Sequence, residues 1–151
     1  MGDNIMALDI LFNGVLYSIN KSAYNVLGSS GAAMSRVSGK YLIDYFVSQN
    51  LLDKDNITKE NLTKLFIEDL GFCDSVEYIE NDGEAVVEVR NPILKLSACQ
   101  LNKENIPILI SPSIMYAYVI AELDGKKAVF KNVEYDENQN VEKWHFKILN
   151  K

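Results

Sequence analysis

Leu8, Leu11, Phe12, Val15, Leu16 and Ile19 recur at spacings of three and four, the apolar stripe of an amphipathic helix. From about Gly31 to Leu52 a second stripe follows, made by Met34, Val37, Tyr41, Leu42, Tyr45 and Phe46, with Asp44, Ser48 and Gln49 on a wet side. A third helix has clear punctuation: Thr58 stands where an N-cap belongs, Leu62, Leu65, Phe66 and Leu70 keep helical spacing, and Gly71 takes the position just past the end.

The period then drops to two. "SVEYI" and "EAVVEVR" flank Asp82-Gly83, a pair that tolerates positive φ and so predicts a tight hairpin. Ala85, Val87 and Val89 point one way, Glu84, Glu88 and Arg90 the other. After "NPILKLSACQLNKENIP", an irregular segment with room for a strand, Ser111-Pro112 opens the helix "SIMYAYVIAEL", which stops near Asp124-Gly125. That helix is apolar nearly all round, which predicts burial. "KKAVFKNVEY" and "VEKWHFKIL", joined by "DENQN", predict a closing hairpin in which Trp144, Phe146 and Ile148 alternate with Lys143, His145 and Lys147.

This order predicts an α+β fold in a single domain spanning 1–151: N-terminal helices packed on an antiparallel sheet, with one buried helix between the two hairpins. Antiparallel runs in place of alternating strand and helix argue against a doubly wound nucleotide fold.

The glycine- and serine-rich stretch "GSSGAAMSRVSGK" fails as a phosphate loop. Gly39-Lys40 would need a glycine at 34 and a hydroxyl at 41, where the chain has Met34 and Tyr41, and helix rather than strand leads into it. Gly31, Ser35 and Gly39 instead fall at i, i+4 and i+8, a row of small residues along one helix face. Such a row admits a neighbouring backbone, the commoner case, or a flat apolar ligand.

Charge narrows the partners. Fifteen Lys and Arg against 21 Asp and Glu give −6, and no basic stripe stands out, so nucleic acid is not an expected partner. The N-terminus is acidic where a signal peptide would be basic. The uncharged run from Ile106 to Ala121 is interrupted by Pro107 and Pro112 and falls short of the ~20 residues that span a bilayer. Cys73 and Cys99 form no paired framework, which fits free thiols in a reducing cytoplasm, the expected location.

Catalytic chemistry is hard to assemble. His145 is the one histidine, and alternation puts it on the polar side of the last strand without a nucleophile nearby in sequence. Two cysteines and one histidine at 73, 99 and 145 do not make a zinc site, and the acidic turns lack the twelve-residue calcium-loop pattern. No motif specifies a cofactor. The aromatic series Tyr116, Tyr118, Phe130, Trp144 and Phe146 is mostly core material and also the best wall for an apolar pocket.

Three strings carry a resemblance: the glycine-spaced helix "NVLGSSGAAMSRVSGKYLIDYF", the strand "EAVVEVRNP" ending in Asn-Pro, and "IMYAYVIAELDGKKAVFKNVEYDENQNVEKWHFKIL" with Gly125 and Phe146 in place. Over nearly the whole chain these resemble the 4-vinyl-reductase, or hydrocarbon-binding, domain family, which shares its fold with haem-nitric-oxide-binding and TRAPP vesicle-tethering domains. The closing hairpin of that family carries two cysteines where this chain has acidic or aromatic residues around Glu134 to Asp136 and Trp144, so no cysteine-bound metal is implied. The resemblance implies binding of a small, mostly apolar molecule as a sensor or carrier. A vinyl-group reductase and a structural assembly subunit are the alternatives. Aromatic cluster and small-residue row together nominate Ser35, Gly39, Tyr116, Phe130 and Trp144 as ligand-binding residues, between helices and sheet, in an expected homodimer.

Overall fold

The computed structural model describes residues 2–151, with side chains from residue 7 onward. Helix α1 (Gly2–Leu27) passes through a 3-10 turn (Gly28–Gly31) into α2 (Ala32–Ser48). Helix α3 (Lys59–Lys64) continues as a π-helical turn (Leu65–Asp69), and the hairpin β1 (Ser75–Asn81) and β2 (Glu84–Arg90) follows. Then come α4 (Lys95–Lys103), α5 (Pro112–Leu123), β3 (Lys126–Asp136) and β4 (Val141–Asn150). The fold is α+β.

Local signals account for most boundaries. Thr58 Oγ1 accepts from the Asn61 N–H at 3.1 Å and Ser111 Oγ from the Ser113 N–H at 3.3 Å, each satisfying a donor that the first helical turn leaves free. Asp82 and Gly83 hold φ of 49° and 79°, the two left-handed residues that a tight hairpin between Asn81 and Glu84 requires. The Asp136 carboxylate caps the other turn by accepting from the Asn138 and Gln139 N–H groups.

Both hairpins join one antiparallel sheet in the order β1-β2-β4-β3. Its inner face carries Tyr78, Val87 and Trp144 as one cross-strand row and Ala85 with Phe146 as the next. Helix α5 lies across that face and α2 packs on α5, while α1 packs on α4. Register slips once: Phe130 sits opposite Phe146 and Asn132 opposite His145, leaving Lys131 as a bulge in the edge strand β3. A bulge advances the alternation by one residue. Ala128, Phe130, Val133 and Tyr135 therefore all turn inward, although 130 and 133 differ in parity.

Two sequence expectations change. The segment with room for a strand is helix α4, whose buried side is Ser97, Ala98 and Leu101; its polar composition hides a short 3.6-residue periodicity. Two helices, α4 and α5, thus separate the hairpins where one was expected.

The other change concerns α1. Its apolar stripe does not face the body of the protein: Leu8, Leu11, Phe12, Val15 and Ile19 are all exposed. The buried positions are Asn13, Asn20 and Ala23. Asn13 donates to the Ile93 carbonyl at 2.8 Å and accepts from the Ser97 N–H at 2.9 Å. Asn20 accepts from the N–H groups of Leu109 and Ile110 at 2.7 and 2.8 Å and donates to the Ile110 carbonyl at 2.7 Å. One turn along the same side, the Tyr17 hydroxyl and the Lys21 ammonium meet Glu104. Hydrogen bonds from Gln100, Lys21 and Tyr17 hold that carboxyl down at about 2. Polar side chains thus dock α1, which leaves its greasy side free.

Candidate functional site

A groove of about 760 Å³ opens at one edge of the molecule. Its walls are the start of α2 with Ala33 and Arg36, the loop Ile106 to Leu109, Ile114 and Tyr118 of α5, and the bulged stretch of β3 around Phe130, joined by Tyr24 of α1, the 3-10 turn and Asn102 of α4. Residues 129 to 133 all reach it because the bulge at Lys131 twists the edge strand there. The loop is held in place from behind, since Asn20 takes the N–H groups of Leu109 and Ile110.

Tyr118 joins these walls. Its ring lies beneath the Arg36 guanidinium, 5.6 Å from the centroid, and its hydroxyl accepts from the Phe130 N–H at 3.4 Å. Burial pushes its phenol pKa up, so the hydroxyl stays neutral. Phe130 in turn leans on Trp144 and Phe146, each at 5.6 Å between ring centroids. The groove floor is therefore continuous with the aromatic core.

Of the five residues nominated from the sequence, Phe130 lines this groove and the others lie in packed interior. Gly39 and Tyr116 border a space of about 10 Å³ where α2 crosses α5, and Tyr116 hydrogen-bonds Thr63 at 2.7 Å. A Cβ on Gly39 would meet the Met115 backbone at 3.7 Å, while one on Gly31 would come within 2.5 Å of Leu109 Cδ1. The small row thus lies against the protein's own chain, the loop at Leu109 beside Gly31 and α5 beside Gly39. Ser35 is buried within it, its hydroxyl without a partner. The structure does not bring Ser35, Gly39 and Trp144 together around a void.

Trp144 borders another space of about 10 Å³, enough for roughly one water molecule. Its indole N–H donates to Glu142 at 3.0 Å. Burial pushes the Glu142 carboxyl up to about 7 against the opposing pull of that hydrogen bond. The second carboxyl oxygen of Glu142 and the hydroxyl of Ser113, both bordering the same space or its lining residues, have no protein partner. Beside the tryptophan, then, the interior is filled, and the room for a guest lies at the edge.

The remaining chemistry-bearing side chains are dispersed. Cys73 and Cys99 are free thiols, and burial pushes both up, Cys73 to about 11. A thiol so placed is a poor nucleophile. His145 stands on the outer face of β4, 3.3 Å from Glu134. No cluster of metal-ligating side chains occurs among the described residues, and none of their helices is long and apolar enough to cross a membrane.

Against this geometry stands one relative. The uncharacterized protein MJ0758 of Methanocaldococcus jannaschii is 30% identical over 121 residues, covering 80% of this chain and 74% of that protein. The chain belongs to that protein's family. No family model matches, and no solved structure matches.

Sequence reasoning missed Asn13, Asn20 and Arg36. The asparagines carried a signal, because two poor helix formers seven residues apart share one face of a long helix. Arg36 carried its own: it is one of only two arginines and sits within the small-residue row's helix.

Proposed function

We propose that the chain binds a small, mostly apolar molecule in the edge groove, acting as a sensor or carrier. The observation that carries this reading is the groove itself: its volume of about 760 Å³ lies within the ~300–1,000 Å³ of small-molecule sites, and its walls are mainly Ile, Leu, Val, Pro and aromatic side chains, with Ser29, Arg36, Asn102, Lys131 and Asn132 as polar members. The likeness to hydrocarbon-binding domains drawn from the sequence points the same way, and Phe130, nominated from the aromatic series, lines the groove. Two free thiols suit a reducing cytoplasm as the place of action.

The test is thermal unfolding of the purified chain with 1-decanol as probe, alongside Ala33→Trp, which fills the groove from an exposed position on α2. A ligand that binds only the folded state at a hundredfold excess over Kd stabilises it by about 2.7 kcal/mol. Expected is a rise in Tm for the natural chain and none for the variant. No rise in either, or an equal rise in both, removes the groove from the reading.

We also propose a homodimer, supported by the uncovered face of α1. Leu8, Leu11, Phe12, Val15 and Ile19 lead into a shallow depression of about 400 Å³ between Ala23, Val26 and Met34. Val37, Tyr41 and Tyr45 continue from Met34 at helical spacing and are likewise exposed. A helix of 26 residues is about 39 Å long. A second copy of the chain is the occupant that supplies an equal, self-complementary apolar face.

A further inference from the structure

We infer that the ligand of the groove carries an anionic head group, carboxylate or phosphate, held by Arg36 at the groove's end. The inference rests on the groove being a binding site and adds the class of molecule it takes.

Charge distribution is the first support. The chain has 21 acidic residues against 15 basic ones, yet no acidic side chain lines the groove, while Arg36 and Lys131 do. Lys131 is already engaged by Glu84 at 2.8 Å. Arg36 has no carboxylate within ion-pair distance among the described residues. Its guanidinium stands over the Tyr118 ring, 5.6 Å from the centroid, with its N–H donors free of any carboxylate among the described residues, so a planar or tetrahedral anion can take them.

The second support is the charge around the same pair. Arg36 and Tyr118 also line a neighbouring pocket of about 150 Å³, whose other charged walls are Lys126, Lys127, Lys151 and Glu122. Glu122 is neutralised by Lys151 at 3.0 Å, and Lys126 is paired with Glu80. Lys127 makes no ion pair among the described residues. A net-acidic protein thus gathers four bases around one small pocket, and that pocket adjoins the end of an apolar groove. An apolar chain along Phe130 and the loop Ile106 to Leu109 places its terminus at Arg36, between the two openings. A neutral hydrocarbon would use the groove and leave this charge unanswered.

The experiment compares n-decanoate, decyl phosphate and 1-decanol by calorimetric titration at low and high salt, with the natural chain and Arg36→Gln. Expected is at least tenfold tighter binding of one or both anions than of the alcohol. Arg36→Gln should abolish that preference and leave decanol affinity unchanged, and salt should narrow the gap for the natural chain. Equal affinity for anion and alcohol, or a preference that survives both Arg36→Gln and high salt, overturns the head-group assignment while the groove reading stands. If none of the three binds, the groove reading falls and this inference with it. Decanoate against decyl phosphate tells which anion the pocket prefers. Should Arg36→Gln fail to fold, the salt dependence in the natural chain decides alone.

Discussion

Asn20 on α1 holds the backbone of Leu109, 89 residues away in sequence, at 2.7 Å through its side-chain oxygen. The same oxygen takes the next N–H, of Ile110, and its amide answers the Ile110 carbonyl. One fully buried side chain therefore satisfies three backbone groups of the loop that walls the groove. Asn20→Ala leaves those groups buried without partners, at roughly 1–3 kcal/mol each before relaxation or water entry. The expected loss is about 2–4 kcal/mol, read as a lower urea midpoint, with faster hydrogen exchange at Leu109 and Ile110. An unchanged midpoint would show that water replaces the amide at no cost.

Glu142 makes stability fall as pH rises. Its folded carboxyl takes up a proton at about 7, while the unfolded one does so near the ordinary 4.5. Between those values the folded state binds more protons, so stability is greatest below about 4.5 and is lost as pH climbs through about 7, by about 3 kcal/mol. Glu142→Gln keeps a carbonyl for the Trp144 N–H and removes the charge. Its denaturation free energy should exceed that of the natural chain at pH 8 and show a flatter profile between pH 5 and 8. Parallel profiles for the two proteins would assign the pH dependence to other groups.

Val15 lies in the middle of the uncovered α1 face, 48% exposed. Val15→Glu adds a charge that solvent accommodates in a monomer and that meets its own copy across a two-fold interface. Sedimentation should give a dimer for the natural chain and a monomer for the variant, with the same helical circular dichroism. A monomeric natural chain at tens of micromolar removes the homodimer.

Gly83 holds φ at 79° and gives its carbonyl to the Ile148 N–H at 2.7 Å, tying the β1–β2 turn to β4. A Cβ there meets nothing closer than 3.9 Å, so Gly83→Ala costs conformational strain alone. About 1 kcal/mol is expected, measured as a shift of the denaturant midpoint at constant slope. A loss several times larger would mean that the whole hairpin register moves.

The fates of Phe130 and Trp144 show how far sequence carried the site. Both belong to an aromatic series that alternation aims inward, and both do point inward. What separates them is one extra residue, Lys131, whose bulge opens the edge beside Phe130 while Trp144 remains in filled core. No local pattern announces a bulge, because it is a slip in the pairing of β3 with β4 and so belongs to the sheet rather than to either strand's own alternation. Arg36 was legible as a rare residue type but not as a neighbour of Tyr118, 82 positions later in the chain; only the packing of α2 on α5 sets that pair.

By itself the sequence determined what depends on neighbours within a turn or a strand pair: the helices with their caps at Thr58 and Ser111, the Asp82-Gly83 hairpin, the alternating sheet faces, and hence the α+β fold. Tertiary structure decided which side of each element is covered and where space is left. Periodicity reports that a face is apolar, as along Leu8 to Ile19, without naming what lies against it. On α1 two buried asparagines outcompete that stripe for the protein's own body, since loop N–H and carbonyl groups removed from water must find partners, whereas an apolar face can wait for a second surface.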